Sequence, residues 1–209
     1  MPNGKGTQSA FIYLPPGDNH WIDIAVLIAS SIPNALISRL GKHFGALYYK
    51  NIARREYSCC YAAFDKTGRL AGVILGTLDR NEAKSLDFSL KIRLLLAANV
   101  RLFSPAVFRW FACGWRNRSA TKRLMRDFPK AELIVVVVHE DFKGNRIGRT
   151  LITELESFFR NNKLDFPYLI LTEKSNRVAN VLYEKIGAQF IKTYPYHDKL
   201  MNEWHKPLF

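Results

Sequence analysis

Hydrophobic and polar positions along the chain change period several times, and each change marks an element. Residues 9–17, "SAFIYLPPG", read as a short strand stopped by Pro15 and Pro16. From residue 20 to 56 the apolar positions follow a helical period broken near Pro33, which predicts two consecutive helices. "YSCCYAAF" and "RLAGVILGTL" flank "DKTG", where Gly68 supplies a positive φ at little cost, so these segments predict a hairpin. "ELIVVVV", from Glu132 to Val138, predicts a fully buried strand. A helix follows from Ile147 to about Asn162, with Ile147, Leu151, Leu155 and Phe158 on one face. "YLILT" is another apolar strand. The next helix starts near Ser175 or Asn176 and stops at Gly187, and "AQFIKTY" and "KLMNEWHKPL" close the chain as strands.

Residues 79–130 interrupt this succession. "SLDFSLKIRLLLAANVRLF" and "PAVFRWFACGWRNRSATKRLM" have amphipathic helical patterns separated by Ser104 and Pro105. The resulting order is β, α, α, β, β, insertion, β, α, β, α, β, β. It predicts an α/β fold: one domain over 1–209 with a central mixed sheet flanked by helices. A helical insertion at about 79–130 lies between the third and fourth strands. At 209 residues and 48% apolar, the chain can bury a sizeable core. No run of eighteen apolar residues occurs and "MPNGKGTQSA" carries no hydrophobic segment, so a soluble, cytoplasmic protein is expected.

Charge narrows the class of partner. The formal net charge is +13, and residues 79–130 alone contain twelve Lys/Arg against four Asp/Glu. Such an excess favours an anion: a polyphosphate cofactor, nucleic acid or an acidic membrane surface. Cys59, Cys60 and Cys113 do not make a disulfide framework, and Cys113 has no local support as a nucleophile. Cys59 and Cys60 are adjacent in a strand, so they should face opposite sides of the sheet. The five histidines show no metal-ligand spacing, and no metal is expected.

Two stretches carry candidate chemistry. In "VVVVHEDFKGNRIG" a valine strand runs into a short cationic loop at the start of a helix. Helix N-termini present unpaired N–H groups and partial positive charge, which suit phosphate. A basic turn in water would look the same, and the spacing fits neither the P-loop nor the G-x-G-x-x-G pattern. In "NRVANVLYEKIGA", Ala179, Tyr183 and Ile186 share a helical face, so Tyr183 is equally readable as a core aromatic.

Together the two stretches resemble the GNAT superfamily of acyl-CoA-dependent N-acetyltransferases. The family's first motif is a strand followed by Q/R-x-x-G-x-G/A, and Lys143, Arg146 and Gly148 occupy its three defined positions. Its second is N-x-x-A-x-x-[LF]-Y-x-K-x-G-F, matched by Asn176, Ala179, Leu182, Tyr183, Lys185 and Gly187, with Ala188 in place of Phe. The strand order agrees over most of the chain outside 79–130. Arg146 replaces a glycine, which restricts backbone approach to a pyrophosphate unless that residue keeps ordinary helical dihedrals; its guanidinium can instead add a phosphate contact.

The resemblance implies acetyl-CoA as cosubstrate and an amine as acceptor: a small amine, an amino sugar or a protein amine. Backbone groups of Val136 and Val138 would pair with the pantetheine arm. Lys143 and the backbone of Gly144, Asn145, Arg146, Ile147, Gly148 and Arg149 would hold the pyrophosphate, and Asn176 would bond the arm further along. Tyr183 would protonate the departing thiolate. Glu132 lies where one histone-modifying branch keeps its base, although a solvated strand-end carboxylate would read the same; His139 and Glu140 are further candidates. The insertion combines Phe103, Phe108, Trp110, Phe111 and Trp115 with Arg101, Arg109, Arg116 and Arg118. That mixture suits solvated helices, a lid or homodimer surface, or a face lying on anionic membrane. A separate reading makes the chain a non-catalytic basic module binding nucleic acid on a degenerate acyl-CoA fold.

Overall fold

The first strand, β1 (Phe11–Leu14), leads into three helical segments: α1 (Trp21–Ser31), α2 (Leu36–Leu40) and α3 (Lys42–Ala53). The computed structural model describes residues 11–83, 85, 88–98, 105, 128–196 and 199–208. Two helices were expected here, and the second is split where Gly41 takes φ 97°, outside the range a helix tolerates. The hairpin of β2 (Ser58–Asp65) and β3 (Leu70–Thr77) follows as expected. Its turn is closed by the Asp65 carboxylate, which accepts from the amides of Thr67 at 2.8 Å and Arg69 at 2.9 Å, with Gly68 at φ 81°.

After the hairpin come α4 (Arg80–Ala83) and α5 (Phe88–Ala98), then β4 (Glu132–Val138), α6 (Ile147–Asn161), β5 (Tyr168–Glu173), α7 (Arg177–Lys185), β6 (Gln189–Tyr196) and β7 (Lys199–Lys206). The strands form one mixed sheet in the order β1-β2-β3-β4-β5-β7-β6, with β4 and β5 parallel and the other neighbours antiparallel. The α/β fold and its central sheet are as the pattern predicted. Both α4 and α5 lie between the third and fourth strands, where the insertion was expected. Residues 106–127, with Cys113 and the rest of its second helix, and the basic and aromatic residues named above from Arg101 to Arg118 fall outside the described residues. Among the described residues no helix is long and apolar enough to cross a membrane.

Two cores cover the two faces of the sheet. On one, Ile147, Leu151, Ile152, Leu155 and Phe159 of α6 pack with Cys59, Ile74, Leu133, Tyr168 and Tyr183. On the other, Trp21, Ile24 and Ile28 of α1 and Tyr49 and Ile52 of α3 pack with Cys60, Val73, Leu75 and Val135. Cys59 and Cys60 thus face opposite sides, and burial pushes the Cys59 thiol up to about 12. The expected α6 face was one residue out at its end: Phe159 is in the core, whereas Phe158 is half-buried at its margin. Nor is β4 buried throughout. Ile134, Val136 and Val138 are only partly buried, alternating with buried neighbours.

Helix α6 lies close on β3 because two strand positions lack a side chain. A Cβ on Gly72 would stand 3.0 Å from the Val137 carbonyl oxygen and 3.1 Å from Ile147 Cγ2. A Cβ on Gly76 would stand 2.4 Å from Leu155 Cδ1, a separation no packed core accepts. Gly76→Ala is therefore expected to destabilise the fold by about 1–3 kcal/mol, the usual range for overpacking. Urea denaturation measures this directly, and an unchanged midpoint would mean that α6 does not seat on β3 at this depth.

Candidate cofactor cleft and active site

Strands β4 and β5 begin as partners and then part. Glu132 pairs with Leu169 and Leu133 with Ile170, and no further pairing joins the two. From Val135 to Val138, β4 pairs only with β3, while β5 from Leu171 to Glu173 pairs only with β7. Between Leu133 and Val135 the register against β3 skips Ile134, a bulge that turns the strand's amides over. Beyond it the amide of His139 donates to Ala71 on β3 at 2.8 Å. Strand amides alternate sides, so those of Val136 and Val138 face away from β3, into the gap.

At the open end of β4 the chain makes a 3₁₀ turn (Glu140–Phe142) and enters α6. Phe142 fixes this turn. Its ring lies edge-on to Phe11 at 5.7 Å between centroids, under the Arg69 guanidinium at 5.3 Å. Gly144 then takes φ 84° and Arg146 takes φ 61°, ψ 9°, after which the helix starts without a side-chain cap. Among the described residues no backbone or side-chain group accepts from the amides of residues 144–149; the first bond runs from Thr150 N–H to the Arg146 carbonyl, at 3.0 Å. Lys143, Arg146 and Arg149 surround these donors, Lys143 holding Glu140 at 2.6 Å on the surface. Helix α7 differs. Its first turn is capped by Asn176, whose carboxamide oxygen accepts from the Ala179 amide at 3.1 Å while Nδ2 is left to donate elsewhere. Gly148 sits in the notch between β4 and α7, where an added Cβ would be 3.5 Å from Val138 and 3.9 Å from Leu182.

Arg146 departs from expectation. It does not keep helical dihedrals but adopts the left-handed conformation of the glycine it replaces, so the loop path is retained at a cost in strain of about 1–2 kcal/mol.

Tyr183 lies on α7 in the core shared with α6, 5% exposed. Burial raises its pKa well above the ordinary tyrosine value, and its hydroxyl has no hydrogen-bond partner among the described residues. The seat of α7 is set by polar contacts that sequence reasoning missed. Asn180 Nδ2 donates to the carbonyls of Glu173 and Lys174, both at 3.2 Å, while its oxygen accepts from Thr172 at 3.2 Å and Asn202 at 3.3 Å. These tie the start of the Tyr183 helix to the end of β5.

Glu132 is not a solvated strand-end carboxylate. It is 5% exposed and paired with Arg80, itself 5% exposed, at 3.3 Å. Tyr48, Tyr194 and Tyr196 lie near enough to sense its charge, each phenol pushed upward chiefly by burial and further by Glu132. Arg80 was also missed, since fifty-odd residues separate it from Glu132 and only the fold joins them. His139 and Glu140 stand at the other end of β4, with 35% and 81% of their side chains exposed. Among the described residues no group of three or more His, Cys, Asp or Glu is placed to hold a metal ion.

The gap between the parallel strands, with the Val136 and Val138 amides turned into it, thus leads to an uncapped helix start beside Lys143, Arg146 and Arg149. The model of the acetyltransferase (GNAT) family matches residues 31–188, most of the chain. The protein belongs to that family of acyl-CoA-dependent enzymes. The fold is shared with a GCN5-related N-acetyltransferase from Kribbella flavida, at 14% identity and TM-score 0.61 over 95% of this chain and 98% of that one. It is shared too with NAA60 of Arabidopsis thaliana, described in complex with a bisubstrate analogue, at 10% identity and TM-score 0.59 over 94% and 97% of the two chains. A third likeness is yncA from Salmonella typhimurium, described with its cofactor acetyl-CoA, at 13% identity and TM-score 0.59 over 96% and 95%. No curated protein sequence matches the chain.

The strain at Arg146 is testable. Arg146→Gly is expected to raise folding stability by about 1 kcal/mol, because glycine occupies the left-handed region without penalty. A urea titration that shows lower stability would mean that the guanidinium contributes more to the folded state than the backbone strain costs.

Proposed function

We propose that this protein transfers the acetyl group of acetyl-CoA to an amine acceptor by direct attack in a ternary complex. The observation that carries the reading is the unpaired inner edge of β4 facing a gap that leads to the uncapped start of α6. Val136 and Val138 would pair through their amides and carbonyls with the pantetheine arm, as a neighbouring strand would. The backbone N–H groups of Gly144, Asn145, Arg146, Ile147, Gly148 and Arg149 would hold the diphosphate, supported by the charges of Lys143, Arg146 and Arg149. Asn176 keeps one amide hydrogen pair for the arm after capping its own helix.

Acetyl-CoA supplies an activated thioester carbonyl. The acceptor nitrogen attacks that carbon, the C–N bond forms, the C–S bond breaks, and the departing thiolate takes a proton from the Tyr183 hydroxyl. The buried phenol is protonated at neutral pH and so has a proton to give. Its raised pKa makes the transfer to a thiolate harder, a cost that direct contact with the departing sulfur would offset. Glu132 is the candidate acceptor of the amine's proton, its charge balanced by Arg80. The tyrosines beside it make this face of the gap the natural entry for the acceptor. Holding both reactants in line supplies much of the acceleration, about 7–11 kcal/mol in favourable cases.

Calorimetry with acetyl-CoA tests the cleft, and absence of binding heat would end this reading. For the chemistry, Tyr183→Phe is expected to lower kcat by about a hundredfold while the acetyl-CoA Kd stays within about twofold. Because the Tyr183 pKa is raised, its proton is retained as pH rises, so its contribution to kcat should be flat to about pH 9.5. Unchanged turnover in Tyr183→Phe would remove it from the role of acid.

A further inference from the structure

The side of α5 that turns away from the fold is apolar and exposed. Leu90, Leu94 and Ala98 are buried, with Ala98 meeting Leu40 of α2 and with Leu36 and Phe44 packed alongside. At roughly 100° of turn per helical residue, these three positions fall within about 80° of arc. Ile92 and Leu96, one turn apart, fall on the opposite side, where they are 43% and 75% exposed. A single apolar side chain on a surface is ordinary, but two stacked on the outer face of one helix make a ridge. Lys91 and Arg93 are exposed on either side of that ridge, and α5 contains no Asp or Glu.

We propose that α5 seats the protein on an anionic lipid surface, with Ile92 and Leu96 entering the boundary between headgroups and acyl chains. Lys91 and Arg93 then lay their aliphatic stems along the ridge and carry their charges to the headgroups. With 11 residues the helix is about 16 Å long, against a hydrocarbon core of about 30 Å, so it lies in the surface and does not span it. The charge of the chain favours this occupant. Its formal net charge is +13, and residues 79–130, which include α5, hold twelve Lys/Arg against four Asp/Glu. An anionic leaflet attracts such a surface before contact is made. A second copy fits less well, because two of these ridges brought face to face set cation against cation. Nucleic acid would meet the cations and leave the apolar ridge unused.

The test is co-sedimentation of the full chain with phosphatidylcholine vesicles containing about 30% phosphatidylserine, beside vesicles of phosphatidylcholine alone, at about 0.1 M salt. The protein is expected to partition onto the anionic vesicles at least about tenfold more strongly than onto the neutral ones. The paired substitution Ile92→Gln with Leu96→Gln should lower that partition by about tenfold or more, since it removes two aliphatic side chains at unchanged charge. Lys91→Gln and Arg93→Gln should each lower it by about fivefold, the share of one cation at a charged surface. All four side chains are exposed, so urea midpoints should match the unsubstituted protein and separate lost binding from lost fold. The proposal is overturned if the protein stays in the supernatant with anionic vesicles. It is equally overturned if the Ile92 and Leu96 pair can be replaced without loss, which assigns the attraction to net charge alone. Sedimentation velocity gives a third route: self-association abolished by that same pair of substitutions would show a second copy covering the ridge.

Discussion

A strand that loses one neighbour part-way along its length must leave peptide groups without partners, and proteins tolerate this only where something else meets them. The parting of β4 from β5 after Leu133 is that exposure, and much of the surrounding architecture follows from it. The bulge at Ile134 turns the amides of the upper half of β4 toward the gap. Glycines at 72 and 76 let α6 press against β3 from one face, so the strand is held firmly from the side that stays paired. Covering the gap with another strand would satisfy the backbone and abolish the cleft.

The two helices that flank the cleft divide the electrostatic work. Helix α7 uses Asn176 to close its own first turn, and its buried polar contacts at Asn180 fix its angle rather than reach outward. Helix α6 has no such side chain, so its partial positive charge and free N–H groups stay available. An arginine at a position of positive φ is unfavourable for the backbone and favourable for anion capture. At position 146 the chain thus carries a positive charge on a backbone conformation that glycine adopts more easily.

Much of this was legible in the chain because local pattern and tertiary role coincide. The valine strand, the DKTG turn, a helix start at Ser175 or Asn176 and the Gly187 stop each act over a few residues, and each was readable from them; that the cap is Asn176 came from the fold. The second motif was readable for the same reason, its asparagine, tyrosine and glycine marking the cap, the body and the stop of one helix. What could not be read depends on the fold closing first. The partnership of Glu132 with Arg80 joins residues far apart in the chain, and a buried carboxylate looks in sequence like any charged strand end. The exchange of Phe158 for Phe159 turns on a rotation of one residue, smaller than a hydrophobic pattern resolves. The dihedral angles of Arg146 were likewise invisible, since side-chain identity argues against the conformation that the loop imposes.

The junction where the chain leaves β3 and re-enters at β4 has a wider consequence. The amide of Arg80 bonds the carbonyl of Lys130 at 2.9 Å, directly beside the pairing of Thr77 with Glu132, so departure and return are stitched together at the sheet. Because the ends already meet, added or removed length between them changes closure entropy only logarithmically. A change of length between these two points therefore leaves departure and return fixed at the sheet, where the Arg80 side chain also pairs with Glu132.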